Sequence, residues 1–182
     1  WPRLGSDGGW QAMLAAHGVD LAALLPANAG IRIEWSAMLA ERFAGAPLKR
    51  IGLRVGGEVA HGEAVLTATG LEGGVVYALG PMLRASVGRQ GALLLDLRPD
   101  LEPAELARRL GRRRPKESLA NHLRKAVGLS PPAIGILREA SPTGLPDDPT
   151  ALAARIRAVP LTIRSMQRID RAISSAGGIR LD

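Results

Sequence analysis

The sequence predicts an α+β fold: a small antiparallel β-subdomain with an all-helical subdomain nested inside it. Three observations predict it. Strand-like segments dominate from residue 31 to residue 97, four helix-like segments follow without interruption up to residue 158, and strand-like segments return from Leu161. Sequence-adjacent antiparallel strands favour a barrel or sandwich over a doubly wound sheet.

Each element has a local reason. Asp7 to His17 reads as a short helix: Asp7 is a candidate N-cap, Trp10, Met13 and Leu14 share a face, and Gly18 stops it. The segment up to Ala29 is apolar and broken by proline. Ile31–Trp35 alternates apolar with polar residues, as a half-buried strand does. Ser36 is placed to cap a helical turn through Phe43, ended by Gly45 and Pro47. Leu48–Val55 is a strand with Ile51, Leu53 and Val55 on one face, and Gly56-Gly57 is a hairpin turn. Glu58–Thr69 is its return strand, with a bulge expected at Gly62 and a break at Gly70. Gly74–Ser86 carries Val75, Val76, Leu79, Met82 and Leu83 at helical spacing, with Pro81 interrupting its middle. Ala92–Leu97 is an apolar strand. Helices are then expected from Pro103, from Ser118 to a stop at Gly128, over Pro131–Glu139 and over Pro149–Ala158. Leu161–Arg164 and Ile169–Ser174 are β-type again, and the chain closes through Ser174-Ser175-Ala176-Gly177-Gly178-Ile179.

Composition excludes several chemistries. With 182 residues a core forms without disulfides or metal. The absence of cysteine rules out thiol catalysis, Cys-ligated zinc and disulfides. No apolar run spans a bilayer and no secretory signal opens the sequence, so a cytoplasmic protein is expected. The net charge is +7, and Arg98 to Lys125 holds nine basic against four acidic residues. The cluster Arg108, Arg109, Arg112, Arg113, Arg114 and Lys116 reads either as phosphate contacts to nucleic acid or as a solvated helix face whose cations complement the helix dipole. With only three Trp, one Tyr and one Phe, no base-stacking platform is available, and the solvated face is the preferred reading.

Two glycine-rich stretches invite a phosphate-loop reading and fail it. Gly5, Gly8 and Gly9 lack dinucleotide-fingerprint spacing, a preceding strand and a phosphate-loop lysine, although amides at the start of the following helix face an anion in principle. Thr69-Gly70-Leu71-Glu72-Gly73-Gly74 runs from strand to helix, but Glu72 would repel a phosphate, and close helix–strand packing explains it better. His17, His61 and His122 show no metal-ligand spacing. Glu58, His61 and Glu63 fit a surface strand. No nucleophile-elbow motif occurs, and no catalytic residue is assigned.

The wording of seven segments goes further. WPRLGSDGGW, LPANAGIRIEWS, AGAPLKRIGL, GEAVLTATGLEGGVVYAL, LLLDLRPDL, SLANHLRKAVGL and AISSAGGIRLD together resemble the BaiN-like NAD(P)/FAD-dependent oxidoreductases, and especially their branch of uncharacterised bacterial flavoproteins. In that family a Rossmann domain binds FAD and is interrupted by an insertion made of a β-barrel and a helical part. The resemblance implies an α+β chain consisting of a small antiparallel β-barrel subdomain with a nested all-helical subdomain, lacking the Rossmann FAD-binding half. Residues 1–28 would be the outgoing seam and its helix, 29–98 with 160–175 the barrel, 99–159 the helical subdomain and 176–182 the returning seam.

By the same resemblance, Gly5, Ser6, Asp7 and Gly8 at one seam, and Ser175, Gly177 and Gly178 at the other, are expected to touch the flavin through backbone amides and small hydroxyls. The expected role is a cap that covers the flavin and shapes the cleft for a small-molecule substrate. FAD would be held mainly by the chain's own Rossmann domain, NAD(P)H would act as reductant, and this segment alone would be inactive. A nucleic-acid-binding module built on the arginine-rich block, or a structural insertion for self-association, are the alternatives. Nucleic acid and membrane are not the expected partners.

Overall fold

Seven short strands curl into the body of the fold because of where the chain must go after the helices. The computed structural model describes residues 5–181; residues 1–4, the opening of the WPRLGSDGGW seam, and residue 182 lie outside the described residues. The barrel strands are β2 (Ile31–Arg32), β3 (Pro47–Val55), β4 (Glu58–Thr67), β5 (Gly70–Glu72), β6 (Leu93–Asp96), β7 (Val159–Leu161) and β8 (Ser165–Met166). A separate ribbon pairs β1 (Leu21–Asn28) with β9 (Ser174–Ile179). The helices are α1 (Trp10–Ala16), α2 (Ala37–Phe43), α3 (Gly74–Ala78), α4 (Gly80–Ala85), α5 (Pro103–Leu110), α6 (Leu119–Val127), α7 (Pro131–Glu139) and α8 (Pro149–Arg157).

The seven strands order β7-β6-β3-β4-β5-β2-β8, all antiparallel. Laid flat, the two edge strands would stand about 29 Å apart. Yet β7 ends at Leu161 and β8 starts at Ser165, a link that reaches about 14 Å at most. The sheet therefore rolls until its edges approach, which makes it a barrel. Its interior is filled by Ile31, Ile51, Leu53, Leu66, Leu71, Leu93 and Leu95, and the same cluster continues into the helices through Leu39, Leu83, Leu106 and Leu123. Each such side chain contributes about 2 kcal/mol on burial.

Register in the longest hairpin depends on a bulge. Leu48 faces Ala64 and Ile51 faces Gly62, so Lys49 and Arg50 together stand opposite Glu63 alone. The extra residue resets the pleat: Leu48 points inward at an even position, while Ile51, Leu53 and Val55 point inward at odd ones. Arg50 takes up the distortion with φ +53°, the left-handed backbone among the described non-glycine residues. The bulge thus lies on β3, and Gly62, where the sequence placed it, is a regular partner of Ile51.

The helical block is an insertion between neighbouring strands. The chain leaves at the end of β6, makes α5–α8, and returns as β7 beside β6. Three of the block's helices, α6, α7 and α8, carry side-chain N-caps. The side chains of Ser118, Ser130 and Asp148 accept the amides of Asn121, Ala133 and Ala151, and Gly128 ends α6 in the left-handed conformation. At the neck, buried Asp96 accepts the Arg98 amide at 2.9 Å and the Arg157 Nε at 2.6 Å. Arg157 Nη1 also donates to the Leu101 carbonyl at 2.7 Å, and the Leu97 amide to Ile156.

Other expectations need correcting. The proline-broken segment before Ala29 is strand β1; Pro26 is tolerated because the ribbon has only two strands, both of them edges. Ile31–Trp35 contributes only two ladder residues, although the Ile33 amide still donates to the Thr69 carbonyl at 2.9 Å. Gly70 does not merely break the return strand; it opens β5 after a two-residue turn. Residues 74–86 form two helices joined at Leu79, with Pro81 in the first turn of the second. Ile169–Arg171 is a 3-10 turn, and strand resumes only at Ser174.

Two substitutions test this architecture. A Cβ at residue 70, where φ is +155°, would stand 1.8 Å from the Ile31 carbonyl oxygen, so Gly70→Ala is expected to separate β2 from β5 and cost at least about 2 kcal/mol in urea unfolding. Asp96→Ala leaves the Arg157 guanidinium half-buried without its carboxylate and is expected to cost about 3 kcal/mol by the same measurement.

Candidate functional site

The β1–β9 ribbon carries three of the seven residues singled out from the sequence, Ser175, Gly177 and Gly178. Leu21 pairs with Ile179, Ala22 with Gly178, Leu25 with Ala176, Pro26 with Ser175 and Asn28 with Ser174. Between the second and third pairs, β1 carries two residues, Ala23 and Leu24, against the single Gly177. A Cβ at Gly177 (φ +94°) would lie 2.3 Å from the Ala23 carbonyl oxygen, so only glycine allows this crossing. Helix α1 lies over the ribbon. The Trp10 ring is 3.6 Å from where a Gly178 Cβ would be, and Leu24 Cδ1 is 3.5 Å from the corresponding point on Gly8. Gly8 and Gly178, from opposite ends of the sequence, therefore meet the same small layer formed by α1 and β1.

The remaining seam residues sit in the turn before α1. Gly5, Ser6 and Asp7 are exposed, and nothing lies within 4 Å of a Cβ built on Gly5. Asp7 Oδ1 accepts the Gly9 amide at 2.9 Å; Gly9, not Asp7, holds the N-cap position. That carboxylate already occupies the helix start and opposes an anion there. Ser175 is exposed on β9.

Two residues that the sequence did not single out anchor the ribbon to the barrel. The Arg84 guanidinium on α4 donates to the Pro26 carbonyl, and a Cβ on Gly80 would stand 3.0 Å from the Ala27 carbonyl oxygen. The dipeptide Gly80-Pro81 was the available signal, since it pairs a close-approach residue with a helix start. Beside α4, Tyr77 on α3 has its phenol held above the usual tyrosine range by burial and by the charge of Glu72, against a backbone hydrogen bond at Gly73. It stays protonated at neutral pH.

The other candidates resolve into packing. Gly70 and Gly73 touch backbone, Gly73 with its Cβ position 3.1 Å from Ala64 Cα, so the Thr69–Gly74 stretch is close helix–strand packing. His17 Nδ1 is 2.8 Å from the Met13 carbonyl. His61 is exposed on β4. Buried His122 places Nε2 2.9 Å from the Leu110 carbonyl and Nδ1 3.3 Å from Glu117. Among the described residues no group of three or more potential ligands is arranged to hold a metal.

In the basic block, Arg108 and Arg109 both turn back onto Glu105, at 2.7 and 2.6 Å, and Arg113 Nε donates to the Glu117 carbonyl at 3.0 Å. The Glu105 carboxyl is pulled down from 4.5 to about 2, first by the Arg108 hydrogen bond and then by that of Arg109. Because the folded value is the lower one, its contribution to stability is complete above pH 4.5 and is lost as pH falls towards 2. Thermal unfolding followed across that window is expected to show a smaller acid loss in Glu105→Gln than in the parent chain.

Residues 25–174 match the family described as HI0933-like protein barrel and H2TH domain. No curated protein matches the chain. The matched span contains the whole rolled sheet and all four helices of the inserted block, and this family is associated with flavoproteins. The chain belongs to the HI0933-like barrel and H2TH domain family.

Proposed function

We propose that this chain is the cap of an FAD-dependent oxidoreductase, seated through its β1–β9 ribbon against a Rossmann domain that holds the flavin, with residues 29–98 and 160–175 as barrel, 99–159 as helical subdomain, and the segments on either side as the two seams. The HI0933-like family is associated with FAD-dependent oxidoreductases. The observation that carries the finer reading is the apolar surface of the ribbon. Trp10, Met13, Leu25, Ile173, Ile179 and Leu181 are all exposed there, between 41% and 96%. Met38, Val59, Met82, Val87 and Ile169 are the other large apolar side chains exposed among the described residues, and we read the group on α1 and the ribbon as a surface that another domain covers.

The residues fit a flavin in part. Gly177 is required by the ribbon's own packing and is exposed, with no side chain in the way, whereas Gly178 (φ +112°) is buried beside the Trp10 ring. Gly5, Ser6, Asp7 and Ser175 present small polar groups at the surface, suited to the polar edge of an isoalloxazine ring. When bound, FAD supplies the hydride chemistry, with NAD(P)H as its reductant. The chain's own part is to orient the ring, exclude water from it, and shape a cleft for a small-molecule substrate at the domain junction. We take the protein to be cytoplasmic; no described helix is long and apolar enough to cross a membrane.

Expressed as the full reading frame of its gene, the protein is expected to be yellow and to show the visible bands of oxidised flavin. A colourless product that takes up no added FAD overturns the proposal. In the same protein, Ile179→Asp is expected to weaken FAD retention about tenfold, while the unfolding free energy of this chain alone changes by about 0.5 kcal/mol or less, as for an exposed site.

A further inference from the structure

A hollow of about 270 Å³ opens between the β3 bulge, the end of β6 and the turn that joins α6 to α7. Its lining contains three cations, Lys49, Arg50 and Arg98, and no carboxylate. Arg98 is 8% exposed, and its Nε has no hydrogen-bond acceptor. Burial makes its guanidinium less basic; Asp100 counters this, and the nearby Arg50 and Arg109 add to it. Asp100 stands at the rim and is shared: its Oδ2 lies 3.5 Å from Arg98 Nη2 and 3.7 Å from Arg50 Nη1. Both distances are long for a charge-assisted hydrogen bond, so both guanidiniums keep donors to spare.

The backbone adds to the charge. Helix α7 begins at this hollow, with Ser130 and Ala133 in the lining. Pro131 and Pro132 remove the first two amides, so the helix offers its dipole and the Ser130 hydroxyl rather than a row of N–H groups. The left-handed Arg50 is the strained residue of the same wall. A buried guanidinium, two further cations and a helix N-terminus converge on one space, and Asp100, at 3.5 and 3.7 Å, is the one carboxylate paired with them among the described residues.

We propose that this hollow binds an oxyanion, the phosphate or carboxylate of a small molecule, held by Arg98 from inside and by Arg50 and Lys49 from the bulge. The site lies at the junction of barrel and helical block and does not depend on the flavin reading.

The test is a titration of the chain with inorganic phosphate, acetate and chloride at constant ionic strength, followed by calorimetry and by the backbone amide shifts of Arg50, Gly128 and Ser130. Saturable binding of phosphate or acetate, with shifts at those three amides, is expected, and the tighter of the two identifies the group. Arg50→Gln, at a side chain 68% exposed, is expected to fold normally and bind about tenfold more weakly. Arg98→Met is expected to abolish binding, and Lys49→Gln replaces it as the second test if that variant does not fold. No saturable binding by the parent chain, an equal response to chloride, or binding unchanged in Arg50→Gln overturns the proposal.

Discussion

The buried pair between Asp96 and Arg157 fixes how the two halves of this fold are joined. The helical block interrupts the chain between two strands that must still pair side by side. Closing so long an excursion costs entropy that grows only slowly with its length, but the exit and re-entry must stay in register. Asp96 stands at the exit and Arg157 at the return, 2.6 Å apart. The same carboxylate takes the Arg98 amide, and Arg157 also reaches the Leu101 carbonyl. A well-packed apolar pair of similar volume would stabilise as much. What the ionic pair adds is direction: each donor has one acceptor position, so the neck has one geometry. That geometry in turn places Arg98 under the α6–α7 turn, where its guanidinium lies 3.4 Å from the Cβ position of Gly128.

The ribbon stands in a different relation to the core. Its strands contribute little to the barrel's interior, and α1 has no buried residue. Its attachments are local and specific: Arg84 to the Pro26 carbonyl, Gly80 against Ala27, and the two-against-one crossing at Gly177. An element held by a few polar contacts and carrying a surplus of exposed apolar side chains is not stabilised by its own fold alone. This is the physical ground for treating it as one side of a domain junction. Within the ribbon itself, Gly177 answers to the two-against-one crossing and Gly178 to the Trp10 ring above it.

The helices were legible because each carries its own punctuation: Ser118 and Gly128, Ser130 with two prolines, Asp148 with Pro149. The Gly56-Gly57 hairpin was legible for the same local reason. Strand β1 was not, because LAALLPAN neither alternates nor avoids proline, and its partner lies at the far end of the sequence. The bulge was looked for at a glycine and formed at Lys49-Arg50, since what decides it is the parity of inward residues on two strands taken together. The SSAGGI and GSDGG stretches were singled out through a family resemblance, and the fold brings Gly8 and Gly178 from them against one layer formed by α1 and β1. Arg84 and Arg98 gave no comparable signal: an arginine's role follows from what buries it, and that is a property of elements far apart in sequence.

Two costs coincide at the β3 bulge, and neither is required by the barrel. A glycine or asparagine at residue 50 would adopt the left-handed backbone with less strain than arginine, whose conformation there costs about 1 kcal/mol or more. An apolar residue at 98 would fill the space beside Leu129 without desolvating a guanidinium. The pleat could be reset and the turn packed with both costs removed. Lys49, at the other bulge position, adds a third cation to the wall instead of relieving the other two. Strain at Arg50 and two guanidiniums that share only Asp100, at 3.5 and 3.7 Å, stand together at one wall in a fold that needs neither there, and the proposed oxyanion would offset both.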